Sequence, residues 1–168
     1  MSAGPFRVVR LDAALDRTAF RSGAPDLDSY LLRQVTQDVR RRVTACFVAV
    51  AADHQIGAYY TLASASVLLS ALPQSIAKKL PRYPSVPAVR MGRLAVDEKF
   101  QGQGLGGALL ADAIDRAVRA EIAAYALLVD AKHEKAAAFY RHHGFLALPD
   151  AVLTLFLPLA TMRRSPRA

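Results

Sequence analysis

The sequence contains one cysteine, Cys46, and no tryptophan. A single cysteine excludes a disulfide within the chain, and its apolar surroundings are typical of an inert packing residue. No second group of metal ligands accompanies the histidines, so we expect no metal site. Apolar runs such as Ala45–Ala52 have the length of a strand and are too short to span a bilayer. The start, Met1–Arg7, lacks the apolar core of a signal peptide, so we expect a cytoplasmic protein with no membrane partner.

The abundant residues are apolar and basic. With 53% apolar residues among 168, the chain can bury the core of one domain. We predict that domain over residues 1–160, followed by a basic, disordered tail over 161–168. The 22 lysines and arginines against 14 acidic residues give a net charge of +8. This charge favours polyanionic partners and disfavours polycationic acceptors.

The glycines cluster in the stretch Gln101–Gly107, between a predicted strand over Val89–Val96 and a predicted helix over Leu105–Ile122. A helix start with few side chains presents unpaired N–H groups at the positive end of the helix dipole, which favours phosphate binding. The alternative is a tight turn with close helix packing. A dinucleotide fingerprint does not fit, because Asp97–Gln101 separates the strand from the glycines, and a P-loop would need a following Lys-Ser or Lys-Thr.

The remaining periodicity predicts a mixed sheet with one parallel pair, formed by the Val89 strand and the strand at Ala126. The prolines between Leu80 and Ala88 predict a stretch without regular structure. The other predicted strands are Phe6–Leu11, Thr44–Ala51, Ile56–Val67, Ala126–Val129, Phe145–Leu148 and Val152–Leu159. The other predicted helices are Leu27–Arg41 with Asp26 as N-cap, Leu72–Leu80, and Glu134–His143 ended by Gly144.

Several basic residues are candidate contacts to RNA phosphate, and each group has an alternative role. The arginines at the end of the first helix also suit the negative pole of the helix dipole. The proline-rich stretch with its tyrosine is either a rigid connection or a surface that stacks on a base. The candidate RNA contacts are Arg33, Arg40, Arg41, Arg42, Lys78, Lys79, Arg82, Tyr83, Arg90 and Arg93.

Two parts of the chain resemble the GNAT N-acetyltransferases. Arg93–Val96 with Gln101–Gly106 is similar to their acetyl-CoA signature, and Ala138–Phe145 is similar to their late tyrosine segment. The resemblance implies the GNAT acyl-CoA N-acyltransferase fold, an α/β (α+β) arrangement in which a mixed, mostly antiparallel sheet carries helices on both faces. It also implies acetyl-CoA as the acetyl donor.

The resemblance assigns Tyr140 as the general acid that protonates the departing thiolate. His133 departs from the family pattern, because many GNAT proteins have an asparagine there that contacts the coenzyme. We expect that contact to be replaced either by backbone groups near Asp130–Ala131 or by Lys135. The residues expected to bind acetyl-CoA are Leu94, Ala95, Val96, Gln101, Gly102, Gln103, Gly104, Leu105, Gly106, Gly107, Asp130 and Lys135.

Within the family, the chain is most similar to toxins that acetylate aminoacyl-tRNA and thereby block translation. The resemblance covers most of Arg7–Leu159, and implies a homodimer neutralised by a small antitoxin whose ribbon-helix-helix part binds DNA. The segments that carry it are Phe20–Gly23, Leu27–Leu31, Gly57–Leu62, Leu80–Pro87 and Gly92–Asp97.

Two alternatives stay open. The acceptor could instead be a protein N-terminus or a small amine, which an acidic cleft would favour, or the protein could bind RNA or a partner without catalysis. The chemistry favours an aminoacyl ester over a lysine, because an α-amino group has a pKa of about 7.7–8.0 and a lysine about 10.4. No residue is indicated as a general base.

Overall fold

The computed structural model describes residues 6–162. The chain forms two compact units: the first joins the residues up to Ala63 to Gly92–Ala113, and the second joins Ser64–Met91 to the residues from Ile114 onward. A 3₁₀ turn over Leu159–Thr161 ends the described part. Most of the predicted disordered tail, residues 163–168, therefore lies outside the described residues.

Seven strands and five α-helices make up the described chain. The strands are β1 (Arg7–Arg10), β2 (Ala45–Val50), β3 (Ile56–Leu68), β4 (Ser85–Val96), β5 (Ala126–Asp130), β6 (Leu146–Leu148) and β7 (Ala151–Pro158). The helices are α1 (Pro25–Ser29), α2 (Val35–Arg40), α3 (Gln74–Ala77), α4 (Leu105–Arg119) and α5 (Glu134–His142). Within the described residues, no helix has both the length and the apolar character needed to cross a membrane.

The strands form one mixed sheet in the order β1-β2-β3-β4-β5-β7-β6. The predicted parallel pair is confirmed, since β4 and β5 run parallel in a register that begins with Ala88 opposite Ala126. The pairs β1–β2, β2–β3, β5–β7 and β6–β7 are antiparallel. The sequence predicts this mixture because a helix connects β4 to β5, whereas a short turn connects β2 to β3.

The core of the first unit forms between its strands and the helical segment from α1 to α2. Tyr30–Gln34, between these helices, is a π-helical turn, and it places Tyr30 and Leu31 in the core. Arg17 holds the turn, because its guanidinium donates to the Leu31 carbonyl at 3.0 Å and to the Thr36 hydroxyl at 2.8 Å. Cys46 is buried in the same core, as predicted, and burial raises the pKa of its thiol to about 12.

The core of the second unit lies between β5, β7 and the segment that leads from β3 to β4. Val67, Leu72 and Val86 pack there with Leu128 and the buried ring of Phe156. β5 is buried from Ala126 to Val129, which agrees with its uninterrupted apolar sequence. This unit carries α5 and therefore the tyrosine segment.

Most predicted element ends agree with the structure to within one residue, but four predictions are wrong by two residues or more. Asp26 is not the N-cap: Ala24 occupies that position, and Pro25 begins the helix because its fixed φ suits the first helical residue. Pro87 lies inside β4, where its carbonyl still accepts a bond from the Tyr125 N–H at 2.8 Å. The predicted helix over Leu72–Leu80 is only the four-residue α3, which Pro73 precedes. α4 ends at Arg119, since Ile122 is 86% exposed and adds nothing to its buried face.

Gly57 illustrates a close approach within the first unit. It lies opposite β2 where the register shifts between Ala49 and Val50, so the strand has a β-bulge at this glycine. A Cβ atom added to Gly57 would lie 2.4 Å from Cε1 of Phe6. The Phe6 ring is held in turn by an edge contact with Phe100, with centroids 4.9 Å apart.

We predict that Gly57→Ala destabilises the protein by about 1–3 kcal/mol, since the methyl group displaces the Phe6 ring. The measurement is urea unfolding of wild type and variant, repeated in a Phe6→Ala background. In that background the loss is expected to shrink, because the ring that obstructs the methyl group is absent. An equal loss in both backgrounds would contradict this explanation.

Candidate functional site

The glycine-rich turn lies in the first unit and ends at the first residue of α4. Gly102 and Gly104 have φ values of +77° and +83°, a left-handed conformation that glycine adopts without strain. Leu105 is buried and starts the helix, and the first intrahelical bond runs from the Ala108 N–H to the Gly104 carbonyl at 3.0 Å. The N–H groups of Leu105, Gly106 and Gly107 precede that bond. They have no carbonyl partner within the helix and can therefore bind an anion.

The carboxylate of Asp97 fixes the position where this turn begins. Asp97 is 2% exposed, and its side chain accepts bonds from the Lys99 N–H at 2.9 Å and the Arg21 N–H at 3.0 Å. Its own N–H donates to the Gly57 carbonyl at 2.8 Å. Sequence reasoning missed this residue, although an aspartate directly after a strand is a typical cap for the turn that follows.

Gln101 and Gln103 hold the turn by their side chains. The Gln101 amide donates to the Val96 carbonyl at 2.8 Å and to the Ser22 carbonyl at 2.9 Å. The Gln103 amide donates to the Lys99 carbonyl at 3.4 Å. Since the Gln101 N–H₂ donors are engaged with main-chain carbonyls, this side chain positions the turn, and the backbone N–H groups remain the donors for a ligand.

The end of β4 carries the other residues of this unit that are predicted to bind acetyl-CoA. Ala95 is buried, whereas Leu94 and Val96 are half-buried. Arg93, a predicted RNA contact, places its guanidinium 3.4 Å from the centroid of the Tyr30 ring, and the Tyr30 hydroxyl donates to Asp38 at 2.7 Å. The Arg93 side chain thus packs on Tyr30, and burial together with Asp38 raises the pKa of that tyrosine.

Tyr140 lies on α5 in the second unit. It is half-buried between the rings of Phe139 and Phe145, with centroid distances of 5.2 and 5.6 Å. Burial raises the pKa of its phenol to about 12, so the phenol holds its proton more tightly than an exposed tyrosine does. Gly144, with φ +94°, follows the helix end as predicted.

His133 fixes the start of α5. Its imidazole Nδ1 accepts a bond from the Ala136 N–H at 3.1 Å, so His133 is the N-cap of the helix that carries Tyr140. A histidine is an unusual residue in this position, where serine, threonine, aspartate and asparagine predominate. Sequence reasoning missed this capping role.

The remaining candidate residues divide between the units. In the second unit, Asp130 forms an ion pair with Arg90 and accepts a bond from the Thr154 hydroxyl at 3.0 Å, while Lys135 is exposed. The exposed residues Lys78, Lys79, Arg82 and Tyr83 lie in that unit as well. Arg33 and Arg40–Arg42 are exposed in the first unit. Among residues 6–162, no three His, Cys, Asp or Glu side chains are grouped to hold a metal ion.

Comparison with known proteins identifies the class. Residues 42–146 match the family described as "Acetyltransferase (GNAT) domain". The curated "tRNA-acetylating toxin" of Mycobacterium tuberculosis (strain ATCC 25618 / H37Rv) is 40% identical over 156 residues, which cover 92% of each chain.

Two solved structures are also similar. AtaT complexed with acetyl-methionyl-tRNAfMet has a TM-score of 0.88 at 31% identity, covering 94% of this chain and 96% of that one. A tyrosine-to-phenylalanine mutant of AtaT, bound to the C-terminus of the antitoxin AtaR and acetyl-CoA, has a TM-score of 0.79 at 26% identity, covering 94% of this chain and 95% of that one.

The chain therefore belongs to the GNAT acetyltransferase family, in the group of tRNA-acetylating toxins of toxin–antitoxin systems. The predicted GNAT fold, with its mixed seven-stranded sheet, is confirmed. The individual site residues stay predictions.

We predict that Tyr140 titrates later than an exposed tyrosine. Because burial disfavours the phenolate, Tyr140 stays protonated up to about pH 12, whereas in the unfolded chain it ionises near pH 10. This difference weakens the fold as the pH rises between these values. The melting temperature of Tyr140→Phe should therefore fall less between pH 9 and pH 11 than that of wild type, and an equal fall in both would contradict the burial.

Proposed function

We propose that this protein transfers an acetyl group from acetyl-CoA to the α-amino group of an aminoacyl-tRNA and so blocks translation. The observation that carries the proposal is the helix start at Leu105. There the N–H groups of three consecutive residues, Leu105–Gly107, follow the left-handed glycines Gly102 and Gly104 in the sequence. Such a start fits the pyrophosphate of a coenzyme A. The relative named as a tRNA-acetylating toxin, and the relatives bound to acetyl-CoA and to an acetylated aminoacyl-tRNA, support the same donor and acceptor.

Each unit carries residues that we propose as contacts to the acetyl donor. In the first, the backbone N–H groups of Leu105–Gly107 would bind phosphate, and a backbone N–H of Leu94–Val96 would stabilise negative charge on the acetyl oxygen. In the second, Asp130 and Lys135 are the proposed contacts that replace the family asparagine. When bound, acetyl-CoA supplies the acetyl group as a thioester, so that the C–N bond to the acceptor forms as the C–S bond breaks.

Tyr140 is the proposed general acid. Its phenol would give the proton to the sulfur that departs, and the amine would lose its own proton to solvent. Tyr140 is protonated at neutral pH, as an acid must be, but burial makes its phenol a weaker proton donor than that of an exposed tyrosine, so the assignment rests on the family resemblance. A structure of AtaT in which one tyrosine is replaced by phenylalanine is consistent with a tyrosine of importance in the relative.

The acceptor is inferred from chemistry and charge. An α-amino group next to an ester is largely neutral at cell pH and needs no strong base. With a net charge of +8, the chain attracts RNA before contact. The exposed candidates for RNA contact are Arg33, Arg40, Arg41, Arg42, Lys78, Lys79, Arg82 and Tyr83, and Arg90 and Arg93 complete the set.

We also propose two partners. A small antitoxin with a ribbon-helix-helix part would bind and neutralise the protein, in agreement with the relative bound to the C-terminus of its antitoxin. A second copy of the chain would form a homodimer. A cytoplasmic location follows from a tRNA substrate.

One observation favours a different acceptor. The first unit contains a cavity of about 620 Å³ lined by Asp12, Asp16 and Asp53. An acidic cavity suits a cationic small amine, which is the alternative substrate class. Its lining residues, within 12–19 and 53–55, are other residues than those proposed to hold acetyl-CoA, so we rank this second.

The function is tested by incubating the protein with labelled acetyl-CoA and tRNAs charged with each amino acid, alongside a set of polyamines and peptides. Acetylation of one or more aminoacyl-tRNAs is the expected result. Acetylated amines or peptides without any acetylated aminoacyl-tRNA would overturn the proposal in favour of the alternative. If no substrate is acetylated, the non-catalytic binding role becomes the better account.

We predict that Tyr140→Phe lowers kcat for aminoacyl-tRNA by about 10²–10⁴-fold, because the thiolate leaves without a positioned acid. The KM for acetyl-CoA should change little, since the ring remains. Tyr125→Phe, which removes a phenol elsewhere in the same unit, is the matched control and should keep wild-type kcat. Unchanged activity in Tyr140→Phe would remove Tyr140 from the mechanism.

We predict that Gly106→Asp weakens acetyl-CoA binding at least about tenfold more than Gly106→Asn does, a difference of about 1.4 kcal/mol. The carboxylate would repel phosphate at the helix start, whereas the amide has nearly the same shape without the charge. An acidic residue in the first turn stabilises a helix, so the aspartate variant should fold at least as well as the asparagine variant. Calorimetric titration with acetyl-CoA is the measurement, and equal affinities would argue against phosphate at this turn.

A further inference from the structure

Arg42 has an unusual backbone conformation directly after α2. Its φ is +62°, in the left-handed region that non-glycine residues adopt at a cost. The turn is a Schellman motif, since the Val43 N–H donates to the Asp38 carbonyl and the Arg42 N–H to the Val39 carbonyl, both at 3.0 Å. This motif usually has glycine in the position of Arg42. An arginine in this conformation costs about 1–2 kcal/mol that a glycine would not.

The charges around this turn suit an anion. Arg40, Arg41 and Arg42 are exposed in succession. The pKa of the Asp38 carboxyl is lowered mainly by the hydrogen bond from Tyr30 and to a small extent by Arg41. The helix dipole alone explains basic residues in the last turn, such as Arg40. It does not explain a strained arginine beyond the helix, where glycine would end the helix at lower cost.

A cavity of about 200 Å³ adjoins this turn. Arg10 and Arg40 line it together with Leu11, Val39 and the exposed Ala13. The Arg10 guanidinium lies 5.3 Å from the centroid of the Phe47 ring, which leaves Arg40 as the cation for a ligand in the cavity. Apolar walls beside Arg40 fit a flat aromatic ring that carries phosphate on its edge, which is the chemistry of a nucleotide. The larger cavity of the same unit has the opposite charge, with three aspartates in its lining, and would repel the same ligand.

We propose that the end of α2 is a binding site for one unpaired nucleotide of RNA. Arg40 and Arg42 bind its phosphates, and its base enters the cavity beside Ala13. The inference rests on the proposed tRNA substrate and assigns to it a contact at a specific place in the first unit.

The test uses Arg42→Gly, with His54→Gly as the matched control. His54 is the other non-glycine residue with positive φ among those described, at +66°, so both variants relieve the same strain. Each is expected to raise the melting temperature by about 2–4 °C. Only Arg42→Gly should weaken binding of deacylated tRNA severalfold and reduce the slope of log affinity against log salt by about one. Arg42→Lys should retain both the affinity and the slope.

The cavity is tested separately by Ala13→Phe, which fills it. Loss of a stacked base should lower tRNA affinity by roughly 5- to 150-fold and leave the salt slope unchanged, because no phosphate contact is removed. Wild-type affinity in Ala13→Phe would overturn the base pocket. Wild-type affinity and slope in Arg42→Gly, or an equal loss in His54→Gly, would overturn the phosphate contact.

The same variants separate this inference from the proposed function. If the wild type acetylates aminoacyl-tRNA and Arg42→Gly has an unchanged KM for it, the nucleotide site is wrong and the function stands. If the wild type binds tRNA through Arg42 but acetylates no aminoacyl-tRNA, the site stands and the proposed function is wrong. If the wild type does not bind tRNA, both are wrong.

Discussion

The buried carboxylate of Asp97 is the contact on which the donor site depends. It accepts two backbone N–H bonds, from Arg21 and Lys99, while its own N–H is bound to the Gly57 carbonyl. These bonds fix the end of β4, the segment at Arg21 and the start of the glycine turn relative to one another. A hydrogen bond to a charged group contributes about 1.5–3 kcal/mol, more than a neutral one. The turn is thereby held before a ligand binds.

The glycines of the turn have two roles: one pair sets the backbone conformation, and the other leaves the helix N-terminus accessible to a ligand. Gly102 and Gly104 supply the two left-handed residues that bring the chain round to the helix axis. Gly106 and Gly107 lie in the first turn of α4, where the absence of side chains leaves the N–H groups open to a ligand. The Gln101 side chain stabilises the turn by donating to the Val96 carbonyl. A rigid, bare helix start suits a diphosphate, because it loses little entropy on binding.

Features of the site could be predicted where the residues that determine them lie close together in the sequence. The turn and the helix that follows it could be predicted from glycines and apolar spacing within one segment. Asp97 could not, because its partner Arg21 is 76 residues away in the sequence. The π-helical turn at Tyr30 depends on the distant Arg17, which donates to the Leu31 carbonyl. Pro87 lies within a strand although proline has no N–H to donate, because its carbonyl still accepts a hydrogen bond from Tyr125. The capping role of His133 departs from the usual choice of residue.

The central claim is that the start of α4 binds the pyrophosphate of acetyl-CoA through backbone N–H groups. The most direct measurement is the change in the amide NMR signals of Leu105, Gly106 and Gly107 on titration with acetyl-CoA, compared with S-acetylpantetheine, which lacks the phosphates. The account predicts large shifts with acetyl-CoA and small ones with S-acetylpantetheine. Equal shifts with both compounds, or none with acetyl-CoA, would contradict it.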